Sequence, residues 1–145
     1  MLLSIQVPIN LSDLRILVVD DEQRTRNLLK DALKALGFLN VTLARDGSMA
    51  WQLFVETSPP FDLVISDWNM PRMSGLDLLK RVRIDLRAGK VPFILVTAER
   101  DRDQVTEALK FEVTDYIVKP FTLAVFSEKM FAVCNKIDKS TGDQD

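Results

Sequence analysis

Four short apolar runs in this chain each stop at a polar residue. Ile16-Leu17-Val18-Val19 leads into Asp20-Asp21, and Leu63-Val64-Ile65-Ser66 into Asp67. Phe93-Ile94-Leu95-Val96 leads into Thr97, and Tyr116-Ile117-Val118 into Lys119-Pro120. Runs this short and this β-branched, separated by helical patterns, read as strands buried on both faces of a parallel sheet. In an open sheet of that kind, ligands bind in the crevice at the carboxyl ends of the strands. The runs therefore predict that three carboxylates, a hydroxyl and an ammonium converge at one edge. Those groups suit a divalent cation and a phosphoryl group.

Helical periodicity fills the gaps between the runs. The first strand spans about Arg15–Val19. A helix follows with Leu28, Leu29, Ala32, Leu33 and Leu36 on one stripe, and Gly37 ends it. Asn40–Ala44 reads as a weaker strand and Arg45-Asp46-Gly47 as a turn. Ala50, Leu53 and Phe54 mark a second helix, stopped by Ser58-Pro59-Pro60. The third strand is Asp62–Ser66. Trp68–Ser74 is a loop. Gly75–Leu86 is a third helix with Leu76, Leu79 and Val82 inward, and Arg87-Ala88-Gly89-Lys90 breaks it. The fourth strand is Pro92–Val96. A fourth helix, from about Arg100 to Lys110, carries Val105, Ala108 and Leu109. The fifth strand is Asp115–Val118, and the last helix buries Leu123, Phe126, Met130, Val133, Cys134 and Ile137. Residues 1–13 read as a surface extension, 14–138 as one domain, and Lys139–Asp145 as a disordered polar tail. The order is (βα)5, an α/β fold with helices on both faces of a five-stranded parallel sheet.

A chain of 145 residues is one domain by length. Its net charge of −2 leaves no electrostatic footprint for nucleic acid. The single cysteine, Cys134, excludes an internal disulfide and suits a reducing cytoplasm. With no histidine, there is no His-based triad or His metal site. No apolar run approaches the ~20 residues of a membrane span, and Met1–Asn10 lacks the basic start of a signal peptide.

Taken singly, each polar residue has a plainer reading. Asp20-Asp21 could be a helix cap and first-turn acid, Asp67 a loop cap, Thr97 a strand-end hydroxyl and Lys119 a surface lysine. The joint pattern favours a site, because four strand ends deliver complementary groups to one edge. Packed carboxylates repel and need a cation. With one bound, Asp67 stays ionised and can attack phosphorus, Lys119 can neutralise phosphoryl charge, and Thr97 can donate a hydrogen bond. Ala98 behind it is small and leaves room.

The chain resembles the receiver domains of two-component response regulators. The resemblance rests on Asp20-Asp21, on Asp67-Trp68-Asn69-Met70-Pro71 with Met73 and Gly75, on Thr97-Ala98-Glu99, and on Lys119-Pro120-Phe121-Thr122. It covers Leu14 to Ile137, and within the family it points to the chemotaxis type. It implies a flavodoxin-like fold with strand order 2-1-3-4-5, an order carried over rather than read from the residues. It implies that Asp67 is phosphorylated by a histidine kinase or a histidine phosphotransfer protein. It implies Mg2+ ligated by Asp21 directly, by Asp20 largely through water, by Asp67 and by the Asn69 carbonyl. Thr97 and Tyr116 would form a switch pair, although the residues alone read Tyr116 as a half-buried strand aromatic. Asn69 and Glu99 would tune dephosphorylation, and the Lys119–Pro120 bond would be cis. Helix four, strand five and helix five would bind a downstream protein, such as the flagellar motor switch. No nucleic acid, membrane or output domain is implied, and the protein would catalyse only its own phosphorylation and dephosphorylation.

One segment departs from the family. Phe111-Glu112-Val113-Thr114 stands where receivers usually carry a small, glycine-containing stretch. A left-handed helix cap there suits Gly and penalises Glu or Val, which puts that connection and the neighbouring surface in question. Two other functions compete: a phosphorelay intermediate or stand-alone regulator of another partner, and an aspartyl-phosphate phosphatase. The phosphatase reading suffers because Asn69, two residues after the nucleophile, cannot transfer a proton. Nucleotide binding lacks both G-x-G-x-x-G and G-x-x-x-x-G-K.

Overall fold

The computed structural model of the chain describes residues 10–98 and 102–142. A short 3-10 turn, Leu11–Asp13, leads into β1 (Arg15–Val19). Then come α1 (Gln23–Ala35), β2 (Asn40–Ala44), α2 (Gly47–Glu56), β3 (Leu63–Asp67), α3 (Gly75–Arg83), β4 (Phe93–Thr97), α4 (Arg102–Lys110), β5 (Asp115–Val118) and α5 (Leu123–Gly142). The five strands pair in parallel in the order β2-β1-β3-β4-β5, so the fold is flavodoxin-like as expected. From β1 the chain moves one way to β2, and from β2 it crosses back over β1 to β3 on the other side. The crevice opens at that reversal.

Strand alternation divides the core into two layers. Leu17, Val19, Val64, Phe93 and Leu95 face Ala50 and Phe54 of α2, Leu78, Leu79 and Val82 of α3, and Ala108 of α4. Ile16, Val18, Ile65, Ile94, Val96 and Ile117 face Leu29 and Leu33 of α1 and Phe126, Met130 and Val133 of α5. β3 and β4 are buried along their whole length, which explains their continuous apolar runs. Among the described residues, no helix is long and apolar enough to cross a membrane.

The structure corrects several expectations. Leu28, Leu109 and Leu123 are exposed, because each lies off the arc that its helix turns to the sheet. Leu78, absent from the expected stripe, is fully buried. α3 stops at Arg83 instead of Leu86. Asp85 accepts from the Arg87 and Ala88 N–H groups at 2.8 and 2.9 Å, a side-chain turn that competes with the helix. α5 continues to Gly142, through the start of the expected tail, since its polar residues still permit helix. Residues 1–9 of the extension, the expected helix start at Arg100 and residues 143–145 of the tail lie outside the described residues. Leu11, by contrast, packs on the core.

Two helices end in the same way. After α1, the Phe38 N–H reaches Leu33 O at 2.9 Å and the Gly37 N–H reaches Lys34 O at 3.0 Å, with Gly37 at φ 102°. After α4, the Val113 N–H reaches Ala108 O at 3.2 Å and the Glu112 N–H reaches Leu109 O at 3.1 Å, with Glu112 at φ 57°. The second left-handed cap is therefore built on a glutamate. Arg83 supports it, donating to Phe111 O at 3.0 Å and to Glu112 O at 2.8 Å.

Candidate functional site

Register brings the strand ends together. Val19 pairs with Ser66, Asp67 with Val96, and Thr97 with Val118. Backbone bonds carry the ladder one residue further: Asp20 N–H to Ala44 O at 3.2 Å, Trp68 N–H to Val96 O at 2.9 Å, and Lys119 N–H to Thr97 O at 2.8 Å. Asp20, Asp67, Thr97 and Lys119 thus share one edge. β3 and β4 each run one residue beyond the expected end, so Asp67 and Thr97 close their strands instead of opening loops.

The loop after Asp67 turns back tightly. Gly75 opens α3 against the Asp67 carbonyl oxygen, where a Cβ would collide with it. The Gly75 N–H bonds Trp68 O at 2.8 Å, and Ser74 with Asp77 forms a capping box that fixes where α3 begins. Trp68, expected as a loop aromatic, is buried in the core on the α2–α3 side of the sheet. The Lys119–Pro120 bond is cis, and so is Ser58–Pro59, which the sequence reading did not anticipate.

Asp20, Asp21 and Asp67 each offer a carboxylate oxygen, and the three lie within 4.8 Å of one another. Asp20 and Asp67 are buried, while Asp21 is exposed. Neither Asp20 nor Asp21 occupies the N-cap position of α1. Glu22 stands there without a side-chain cap bond, and its N–H donates to Asp20 Oδ1 at 2.9 Å. The Lys119 ammonium lies 3.3 Å from Asp67 Oδ1 and 3.5 Å from Asp20 Oδ2. Asp20 Oδ2 is buried and accepts no hydrogen bond.

Charge follows from this packing. Burial, then the neighbouring Asp20, pushes the Asp67 carboxyl up to about 6, with Lys119 pulling the other way. Burial also raises the Asp20 carboxyl. For Lys119, burial works against the charged form. The combined attraction of Asp67 and Asp20 outweighs it, and its pKa is raised. Among the described residues, one ammonium, that of Lys119, pairs with Asp20 and Asp67, and Asp21 lies beside those two carboxylates. The donor set is all oxygen, over-charged, and includes a buried oxygen with no hydrogen bond. A hard divalent cation such as Mg2+ fits it.

Thr97 is buried at the same edge, and Ala98 beside it is exposed. Asn69 is exposed two residues beyond Asp67. Tyr116 lies on β5 with 38% of its surface exposed. Glu99 lies outside the described residues. Arg26 holds the site from a position that no motif in the sequence marks. Its guanidinium donates to Asp20 O at 2.7 Å and ties the acid-bearing loop to α1. A faint signal existed: basic residues in a helix's first turn oppose the helix dipole, and α1 has no acid there. Arg24 shares that signal, so it does not single out Arg26.

Residues 16–130 match the family model described as response regulator receiver domain. The chain belongs to that family. It is 42% identical over 125 residues to the chemotaxis protein CheY of Pseudomonas aeruginosa, covering 86% of this chain and 99% of that one. It is 41% identical to CheY-3 of Vibrio cholerae, covering 86% and 95%. Among solved structures, CheY4 of Vibrio cholerae superposes with a TM-score of 0.76 at 29% identity, over 83% of this chain and 98% of that one. A receiver domain protein from Clostridium thermocellum gives 0.76 at 28% identity, over 85% and 95%. The chain is thus a CheY-like receiver domain, a signalling module of the chemotaxis type, and its acidic cluster is compatible with the metal site of a receiver domain.

Proposed function

We propose that this receiver is a phosphorylation-controlled binding switch with Asp67 as its acceptor. The observation behind this reading is the crowding of the Asp20, Asp21 and Asp67 carboxylates at the crevice, with the Lys119 ammonium against Asp20 and Asp67. An Asp67 carboxylate oxygen attacks the phosphorus of a phosphohistidine on a kinase or phosphotransfer protein. The new P–O bond forms as the P–N bond breaks, and the freed imidazole nitrogen takes up a proton. Mg2+, held by Asp21, Asp67, the Asn69 carbonyl and, through water, Asp20, would keep Asp67 ionised and offset phosphoryl charge. Lys119 pairs with a phosphoryl oxygen, and the Thr97 hydroxyl donates to another.

Movement of Thr97 toward the phosphoryl group lets the Tyr116 ring turn inward and changes the α4–β5–α5 face. That face binds the downstream protein. The chemotaxis relatives favour the flagellar motor switch over a phosphotransfer domain, and the switch operates in the cytoplasm. Asn69, two residues after the acceptor, and Glu99, two after Thr97, carry polar groups that would orient an attacking water and set a short phosphoryl lifetime.

Incubation with a small phosphodonor and Mg2+ should add one phosphoryl group by intact mass. Asp67→Asn should add none. Full labelling of Asp67→Asn would place the acceptor elsewhere.

A further inference from the structure

Tyr116 does not stand alone on the surface of β5. The Lys129 ammonium, on α5, lies 5.5 Å from the centroid of its ring. The same ammonium pairs with Asp115 Oδ1 at 2.9 Å. Asp115 Oδ1 also accepts the Tyr116 N–H at 2.8 Å. The carboxylate therefore grips both the backbone of the aromatic residue and the cation that covers its ring. Lys129 is itself well placed to be held. Phe126, one turn earlier on α5, is fully buried, and so is the adjacent Met130. Anchoring by Asp115 restricts a long side chain in advance, so its contact with the ring costs less ordering.

We propose that Lys129 and Asp115 form a latch that holds Tyr116 in its outward position, and that the strength of this latch sets how easily the protein switches. The proposal rests on the reading of Tyr116 as the switch aromatic. A ring that turns inward must leave the ammonium and gives up a cation–π contact, whose usual size at partly exposed sites corresponds to a bias of about two- to fivefold. Charge supplies the specificity. Neutralising Asp115 frees the ammonium to swing into solvent, even though an oxygen remains for the Tyr116 N–H.

The chain has a single tyrosine, so fluorotyrosine incorporation gives one 19F signal. The difference in that signal between H2O and D2O reports ring exposure. Beryllofluoride with Mg2+ serves as the phosphoryl mimic, and its affinity is linked to the ring's equilibrium by reciprocity. Lys129→Met and Asp115→Asn should each lower ring exposure and tighten beryllofluoride binding by about two- to fivefold. Lys129→Arg keeps a cation over the ring and should behave like the parent. Ring exposure and affinity unchanged in both Lys129→Met and Asp115→Asn would overturn the latch and leave the pair as an ordinary strand–helix bridge. A parent protein that binds no beryllofluoride would instead overturn the phosphorylation reading, and the exposure measurement would still judge the latch.

Discussion

The two edges of the sheet hold charge in opposite ways. At the edge where the strands begin, Arg83 is drawn out of water, and burial lowers its pKa. Its guanidinium donates to Gly89 O at 2.8 Å, Val91 O at 2.6 Å, Phe111 O at 3.0 Å and Glu112 O at 2.8 Å. At the edge where the strands end, Asp20 and Asp67 are buried with one shared ammonium and an oxygen that accepts nothing. A half-buried charge well supplied with carbonyl partners fastens loops. A buried charge short of partners favours whatever ligand supplies them.

Arg83→Met should expose this contrast most strongly. Four carbonyls lose their donor, and the α3–β4 and α4–β5 connections lose their shared tie. We expect a loss of about 2–4 kcal/mol in urea unfolding, with Mg2+ affinity little changed. A large loss of Mg2+ affinity would show that the two edges are coupled.

The acidic edge should reveal itself through pH. The Asp67 carboxyl titrates at about 6 in the fold against 3.8 for the free group, so between those values the folded state holds more protons than the unfolded. Its contribution is full below pH ~4 and is lost as pH rises through ~6, a fall of about 2–3 kcal/mol. Asp20 is raised in the same direction. Unfolding measured without divalent cation across pH 4–7 should show this component, and Asp67→Asn should remove it. An unchanged slope in that variant would mean that Asp67 is not held under strain.

Asp20→Asn should then have the opposite sign to Arg83→Met. It removes a buried charge whose Oδ2 has no hydrogen bond, and we expect a gain of about 1–2 kcal/mol near pH 7, with weakened Mg2+ binding. A destabilised Asp20→Asn would show that its pairing with Lys119 already compensates the burial.

The two edges also differed in legibility. The acidic edge could be read, because parallel strands impose a rule: a polar residue that closes an apolar run arrives at the crevice whatever its neighbours are. Asp20, Asp67, Thr97 and Lys119 all obey it. The Arg83 edge could not be read. A guanidinium at the end of a helix resembles any surface arginine, and its acceptors are backbone carbonyls up to Glu112, which leave no mark in composition. Arg26 was hidden in the same way. The helix stripes were legible in outline only. Leu28, Leu109 and Leu123 sit beside buried arcs, and apolar character alone does not say where an arc ends. Trp68 departs from a loop position because its N–H continues the β3–β4 ladder, which no residue type beside it announces.

The smallest expected effect lies where Arg83 meets the α4–β5 connection. Glu112 adopts the conformation that Gly37 adopts after α1, with the same pair of cap bonds, but it carries a Cβ. A left-handed residue other than glycine costs about 1–2 kcal/mol, and glycine returns part of any gain through its freer unfolded chain. Glu112→Gly should therefore stabilise by only about 0.5–1 kcal/mol in urea unfolding. The opposing influence is the Glu112 carboxylate, whose charge favours the guanidinium form of Arg83. High salt separates the two, because it screens the attraction and leaves the backbone cost untouched. If the gain grows with salt, charge and backbone are balanced at this cap. If Glu112→Gly destabilises at every salt concentration, the glutamate is there for Arg83, and the left-handed turn is a cost that the arginine offsets.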